Sequence, residues 1–281
     1  MIHERYYSEM LSAGQLDPDT ATALMDFREG HGGTLSGMTR YTDHLDDMPA
    51  IGYARSSLSA DRIDRFLLLL YGHAANYQGR GSFFSTEQQS LYLDASNTRW
   101  RASLGEIQDS FCTPSQTLIA SMTAMQLVDS ERDNATVWIA RGAPRRWYAG
   151  DADDGSAAVG GAAAPGVMFG ATSAPSRWGV VTFSVGPQVQ STTAVTVSVD
   201  FSQPVGAVQH TPTLMVRIRD PTGTRSLASA VVSGAGASAA AAAAPDCEVV
   251  QVLPSKEIVA VRPIGKATAM QHCTILATFN Q

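Results

Sequence analysis

"TAVTVSVDF", Thr193 to Phe201, is the stretch from which the fold of this 281-residue chain is read. Apolar Val195, Val197, Val199 and Phe201 alternate with Thr196, Ser198 and Asp200. A period of two places the two sets on opposite faces of a pleated strand, so one face is buried and the other wet, as in an antiparallel sheet. The same period recurs outward in both directions. "TLMVRIRDPTG" sends Leu214, Val216 and Ile218 inward and turns at Asp220-Pro221-Thr222-Gly223. "ATVWIARG" (135–142), "RWGVVTFSV" (177–185), "CEVVQVL" (247–253), "EIVAVRP" (257–263) and "HCTILATF" (272–279) supply further short strands. Roughly seven or eight strands punctuated by turns predict an antiparallel β-sandwich over residues 135–281.

Before residue 135 the period is helical. In "DPDTATALMDFREGHGG", Asp17 stands where an N-cap belongs and Pro18 at the first helical position. Ala21, Leu24, Met25 and Arg28 share a face, and Gly30, Gly32 and Gly33 end the helix. From Ser59 or Asp61 to Tyr77, Ile63, Phe66, Leu67, Leu70, Tyr71 and Ala74 recur at helical spacing, with Leu68 and Leu69 filling the other sides. A helix apolar nearly all round is expected to be an inner one, and Gly72 within it predicts close approach by a neighbour. A third helix opens at "TPSQ": Thr113 as cap, Pro114 at the first position, Gln116 completing a capping box, and Leu118, Met122 and Met125 as its buried stripe. The chain therefore reads as an α+β protein of two domains, helical over 1–134 and sheet over 135–281.

Composition narrows the function. Hydrophobic residues make up 44% and charged ones 16%, which suits a globular chain. Net charge is -6 and no basic run exceeds the pair Arg145-Arg146, which argues against a nucleic-acid partner. No apolar run reaches membrane-spanning length, and "MIHERYYSEMLSAG" lacks the apolar core of a signal peptide. Cys112, Cys247 and Cys273 are too scattered for a zinc site; they read as three buried thiols or as one bridge, Cys247 with Cys273, in an oxidising compartment. P-loop, Rossmann and G-x-S-x-G patterns are missing, so no cofactor or metal is expected. "GDADDGSAAVGGAAAPG" (150–166) and "SGAGASAAAAAAPD" (233–246) read as loops.

The chemistry-bearing residues gather in two aperiodic segments. His31 to Leu58 carries His31, Arg40, Tyr41, Asp43, His44, Asp46, Asp47 and Tyr53, interleaved with Met38, Leu45, Met48 and Ile51. That mixture predicts an ordered loop lining a site, against the plainer reading of "DHLDD" as a solvated turn. "GRGSFFSTEQQ" (79–89) holds Glu87 beside Arg80, Phe83 and Phe84. Carboxylates from two segments, with aromatics to stack and arginines to hydrogen-bond, are what glycoside chemistry requires: one donates a proton to the leaving oxygen, the other activates water or attacks the sugar. Glu87, Asp46 and Asp47 are the candidate catalytic residues; His31, Arg40, Tyr41, Asp43, His44, Tyr53, Arg80, Phe83 and Phe84 are the candidate substrate contacts. The competing reading of "STEQQSLY" makes Ser85 a helix cap with Gln88 as its box partner.

"WIARGAPRRWY" (138–148), "RWGVVTFSV" and "LMVRIRDPTG" resemble the end of six-hairpin glycosidases, in which an (α/α) toroid of helical hairpins passes into a C-terminal β-sandwich. "FLLLLYGHAANYQGRGSFFSTEQ" (66–88) resembles the last hairpins of such a toroid, and "GSFFSTEQ" is similar to the late "G-S-x-x-E-Q" loop that carries a catalytic base in glucoamylase-like members. The resemblance implies a partial toroid followed by a sandwich, Glu87 as the base, a carbohydrate substrate, and a chain forming the C-terminal part of a larger carbohydrate-active protein whose earlier hairpins are its partner. A polysaccharide lyase, with Tyr41 or Tyr53 and His31 or His44 as base and acid, shares that plan. A non-catalytic carbohydrate-binding or structural tail is the third expectation.

Overall fold

The computed structural model describes residues 10–11, 16–41, 44–47, 49–76, 85, 88–90, 113–130, 135–149, 167–187, 193–202, 212–233, 247–264 and 271–280. The chain forms two compact units, Met1–Thr123 and Ala124–Gln281.

In the first unit, α1 (Pro18–Gly30) begins as its sequence dictates. The Asp17 carboxylate accepts from the backbone N–H of Thr20 at 2.9 Å and of Asp19 at 3.1 Å, and from the Thr20 hydroxyl at 2.6 Å. Its inner face carries Ala21, Met25 and Arg28. A small antiparallel sheet follows: β1 (Thr34–Leu35), β2 (Met38–Tyr41) and β3 (His44–Asp46), joined much later in sequence by β4 (Gln88–Ser90) in the order β1-β2-β3-β4. Between β3 and β4 lie α2 (Ala50–Ser59) and α3 (Ile63–Asn76), and α4 (Thr113–Leu127) comes last.

Two glycines join sheet to helix. Gly37 has φ +82, and a Cβ there would lie 2.4 Å from the Leu68 carbonyl oxygen; a Cβ on Gly72 would lie 2.3 Å from that of Ser36. The β1–β2 turn thus presses backbone to backbone on α3, the close approach that Gly72 signalled.

This architecture overturns the toroid. The described residues hold four helices of 13, 10, 14 and 15 residues, and strands separate α1 from α2 and α3 from α4. Among the described residues no ring of helical hairpins is formed, and the resemblance to six-hairpin glycosidases falls with it, as does the reading of the chain as the tail of a toroid. The fold is α+β with three sheets. The physical cause lies in residues 31–58, expected as one long loop. They fold as three strands of two to four residues and a helix; strands so short complete no alternation that a periodicity search could register. Met38 and Leu45, which pack together in the core, are what that segment buries. Nor is α3 enclosed: Ile63, Phe66, Leu69, Leu70 and His73 are buried, whereas Leu68 is 56% and Tyr71 47% exposed. The helix start expected at Ser85 is also absent, because Gln88–Ser90 is strand. Gln116, assigned to a capping box, donates from Nε2 to the Ser85 carbonyl at 2.8 Å.

The second unit is a sandwich of two five-stranded sheets. One has β5 (Val128–Asp129), β6 (Thr136–Ile139), β10 (Thr213–Arg217), β12 (Cys247–Leu253) and β13 (Ile258–Pro263) in the order β12-β13-β10-β6-β5, with β10 and β6 parallel. The other has β7 (Phe169–Ser176), β8 (Gly179–Pro187), β9 (Ala194–Ser202), β11 (Leu227–Ser233) and β14 (Gln271–Phe279) in the order β11-β14-β9-β8-β7, antiparallel throughout. Val195, Val197, Val199 and Phe201 of β9 are no more than 2% exposed and pack with Val137, Ile139, Leu214, Val216 and Val261 from the opposite sheet. The Cys247–Cys273 disulfide, Cα–Cα 5.9 Å, ties β12 to β14 across this core, which decides between the open readings of the cysteines.

Candidate functional site

The sheet of the first unit brings together the two segments that carry the candidate carboxylates. β3 and β4 pair antiparallel with His44 opposite Ser90, Leu45 opposite Gln89 and Asp46 opposite Gln88. Gln88 is the sequence neighbour of Glu87, and Asp46 that of Asp47. Asp46 is 0% and Asp47 2% exposed, so two consecutive carboxylates leave water where the sheet meets α2. The Thr39 hydroxyl donates to the Asp46 carbonyl, and the Asp47 carbonyl accepts the Ala50 N–H at 2.9 Å as α2 begins, so the backbone of both acidic residues is held.

The other candidates are distributed as follows. Arg40 and Tyr41 lie on β2, pairing with Leu45 and His44 of β3. The Arg40 carbonyl accepts from Arg28 Nη2 at 3.0 Å. His31 is exposed just beyond α1; its Nδ1 is 2.5 Å from the Phe27 carbonyl and its ring packs on Phe27 at 4.1 Å. Tyr53 is 2% exposed in α2, with the Arg28 guanidinium 5.4 Å from its ring centre. Glu87, Arg80, Phe83, Phe84 and Asp43 fall outside the described residues. Ser85 of the same segment is buried and held by Gln116 of α4.

A cleft of about 290 Å³ opens in the same unit, lined by Glu29, Thr34, Tyr53, Arg65, Leu68 and Leu69. Gly37, Arg62 and Asp64 complete its rim. Arg65 is fixed by bonds that sequence does not reveal. Its Nε lies 2.8 Å from Glu29 Oε1, and its Nη2 2.8 Å from Glu29 Oε2 and 2.5 Å from Asp26 Oδ1. The third guanidinium nitrogen, Nη1, is buried without a hydrogen-bond partner, and the Tyr53 hydroxyl is buried beside the Arg28 guanidinium. Burial pushes the Tyr53 phenol up to about 12, and the neighbouring Arg28 offsets only part of this. Sequence reading found Tyr53 but missed Glu29, Thr34 and Arg65; the pair Glu29 and Arg65 sits on separate helices, and no local spacing announces it.

A second cluster of charge, in the sandwich, has a different character. Asp220, 0% exposed, accepts five hydrogen bonds: from Arg225 Nε and Nη2 on one oxygen, and from the Thr222 hydroxyl and the Thr224 and Arg225 backbone N–H on the other. Burial alone would raise its carboxyl, but the bonds from Arg225 and Thr222 win and hold it well below the usual carboxylate range. Arg145 makes a two-pronged pair with Glu257 at 2.7 and 2.9 Å and donates to the Asp220 carbonyl at 2.8 Å. The Tyr148 hydroxyl donates to the Arg217 carbonyl at 2.6 Å. These bonds close on the protein itself and lock the 220–225 turn.

Among the described residues no three His, Cys, Asp or Glu side chains converge as metal ligands, and no helix is long and apolar enough to cross a membrane. No protein-family model matches the sequence, and comparison with curated proteins gives no match.

Proposed function

We propose that this chain acts on carbohydrate as a glycoside hydrolase-like protein, with carboxylates drawn from the end of β3 (Asp46, Asp47) and from the residue preceding β4 (Glu87). The pairing of Asp46 with Gln88 carries this reading, because it draws two acidic segments that are remote in sequence to one end of one small sheet. Hydrolysis needs one carboxyl to protonate the glycosidic oxygen and a second to activate water or attack the sugar. Carbohydrate is the substrate, and the sugar-contacting groups are taken from β2, α2 and the segment before β4. The lyase alternative is weaker: Tyr53, with its phenol near 12, is poorly placed to act as a base at neutral pH.

The test is turnover of a panel of 4-nitrophenyl glycosides and oligosaccharides by the full chain and by Glu87→Gln. The substitution is expected to lower kcat by about 10²–10⁴-fold with the far-ultraviolet dichroism unchanged. Equal turnover by both proteins, or no turnover of any sugar by the parent, rejects hydrolysis. An unsaturated, ultraviolet-absorbing product would identify elimination instead.

A further inference from the structure

The charge cluster of the sandwich satisfies its two carboxylates but not all of its arginines. The alternation through β10 and beyond that sends Val216 and Ile218 into the core turns Arg217 and Arg219 away from it. Arg219 is 8% exposed, and its Nε is buried with no hydrogen-bond partner. Glu257 Oε2 stands 4.0 Å from that nitrogen, beyond hydrogen-bond reach. Nη1 and Nη2 differ from Nε: neither is sealed, and neither hydrogen-bonds to a described residue. The part of Arg219 that reaches the surface is therefore the end of its guanidinium, two donor nitrogens side by side.

Charge decides what would meet them. Both oxygens of Glu257 are already engaged by Arg145, at 2.7 and 2.9 Å. Asp220, the next residue, is engaged by Arg225 and by its own turn. Burial, and then the like charge of Arg217, lower the Arg219 guanidinium from its ordinary value, yet an arginine stays charged at neutral pH. Arg146 and Lys256, the sequence neighbours of Arg145 and Glu257, are exposed. On a chain of net charge -6, this corner is a local excess of cations, and a neutral ligand would leave it unmatched. Two parallel N–H donors on one planar group fit the two oxygens of a carboxylate or a phosphate.

We infer that the end of Arg219 anchors an oxyanion-binding site, which takes the carboxylate or phosphate group of a small ligand on its two terminal nitrogens. Arg145, pinned by Glu257 and with its stem against Gly223, where a Cβ would lie 3.0 Å from the Arg145 Cδ, holds a second positive charge in place. The site belongs to the second unit and uses none of Asp46, Asp47 or Glu87, so it stands apart from the proposed hydrolysis.

Calorimetry and thermal melting of the full chain test it, at constant ionic strength set with sodium chloride, using inorganic phosphate and glucuronate, with glucose as the neutral counterpart. Phosphate or glucuronate is expected to bind saturably and to raise the melting temperature, with glucose about tenfold weaker or more. The tighter of the two anions tells a phosphate ligand from a carboxylate one. Arg219→Met keeps the apolar stem and removes the charge. It is expected to weaken the anion about tenfold or more and to leave the ligand-free melting temperature unchanged or higher, because it relieves a buried cation beside Arg217. Should Arg219→Met melt lower, Arg219→Lys replaces it; that variant keeps the charge without the two-pronged end, and about threefold weaker binding is expected. Arg262→Met, at the exposed pair with Glu248, controls for charge in general and is expected to bind as the parent does. No saturable binding by either anion, glucose binding as tightly as the anions, an equal loss in Arg262→Met, or parental affinity in the Arg219 variant read would overturn the assignment. Glu87→Gln is expected to bind the anion unchanged, so failed hydrolysis and failed anion binding are told apart.

Discussion

The two units solve the same problem, buried charge, in opposite ways. In the sandwich, Asp220 has five hydrogen bonds and Arg145 grips Glu257 with both prongs; each carboxylate is closed off by neighbouring protein. In the first unit, Arg65 is held by Glu29 and Asp26 yet keeps one buried nitrogen, Nη1, without a hydrogen-bond partner. Identical chemistry therefore means different things. A saturated cluster fixes a turn, whereas an unsaturated one carries the cost of a buried donor left unmet. The stretch "VRIRDPTGTR", read from sequence as a strand and a turn, is used by the structure as a clamp.

The largest expected effect tests the clamp. Asp220→Ala strands Arg225 and undoes the turn, and breaking a buried pair costs about 3–5 kcal/mol. Hydrogen exchange should show that loss in residues 212–233 and 247–264 while α1 to α3 keep their protection. The charge state adds a pH signature. The folded carboxyl is depressed, so its contribution is present above the unfolded value of 3.8 and is lost as pH falls below it. A clamp that melts near neutral pH would contradict the assignment.

Next in size is the disulfide. Cys247 and Cys273 are 26 residues apart, and closing such a loop is worth about 3.5 kcal/mol in the chain-entropy account. Replacing both with alanine should destabilise the sandwich by that order and leave the exchange of the first unit unchanged. Equal losses in both units would dissolve the distinction between them.

His73 supplies a somewhat smaller effect, confined to the other unit. It is 1% exposed in α3, and burial brings its pKa from 6.5 down to about 4. The unfolded chain therefore takes up a proton near pH 6.5 that the folded one refuses until about pH 4. Stability is full above 6.5 and falls as pH drops through that window, by about 3 kcal/mol at the lower end. Protection of α3 should decline between pH 6.5 and 4, before the sandwich responds. His73→Leu should remove the slope, and a slope that persists would place the proton elsewhere.

How much of this could be read beforehand depended on the range of the cause. The Asp17 cap and the Val195–Phe201 alternation are local, and each was realised where residue type and spacing put it. Gly72 signalled a close neighbour without naming it; the structure supplies the Ser36 carbonyl. The sheet β1 to β4 was not legible. Its strands are two to four residues long, and β4 joins from across two helices, so neither periodicity nor spacing could reveal it. Gln116 has a partner that its spacing from Thr113 does not reveal: its amide donates to the Ser85 carbonyl.

Sequence alone determined the sandwich in the second half and the helix start at Asp17, and it named the candidate carboxylates. These follow from nearest-neighbour chemistry and from periods long enough to complete. Tertiary structure decided that the first half is helices on a small sheet rather than a toroid, that Cys247 meets Cys273, and that Asp46 pairs with the neighbour of Glu87. It also placed Arg65 and Tyr53 on one cleft. Such contacts join residues tens of positions apart, and only the folded chain brings them within reach of each other.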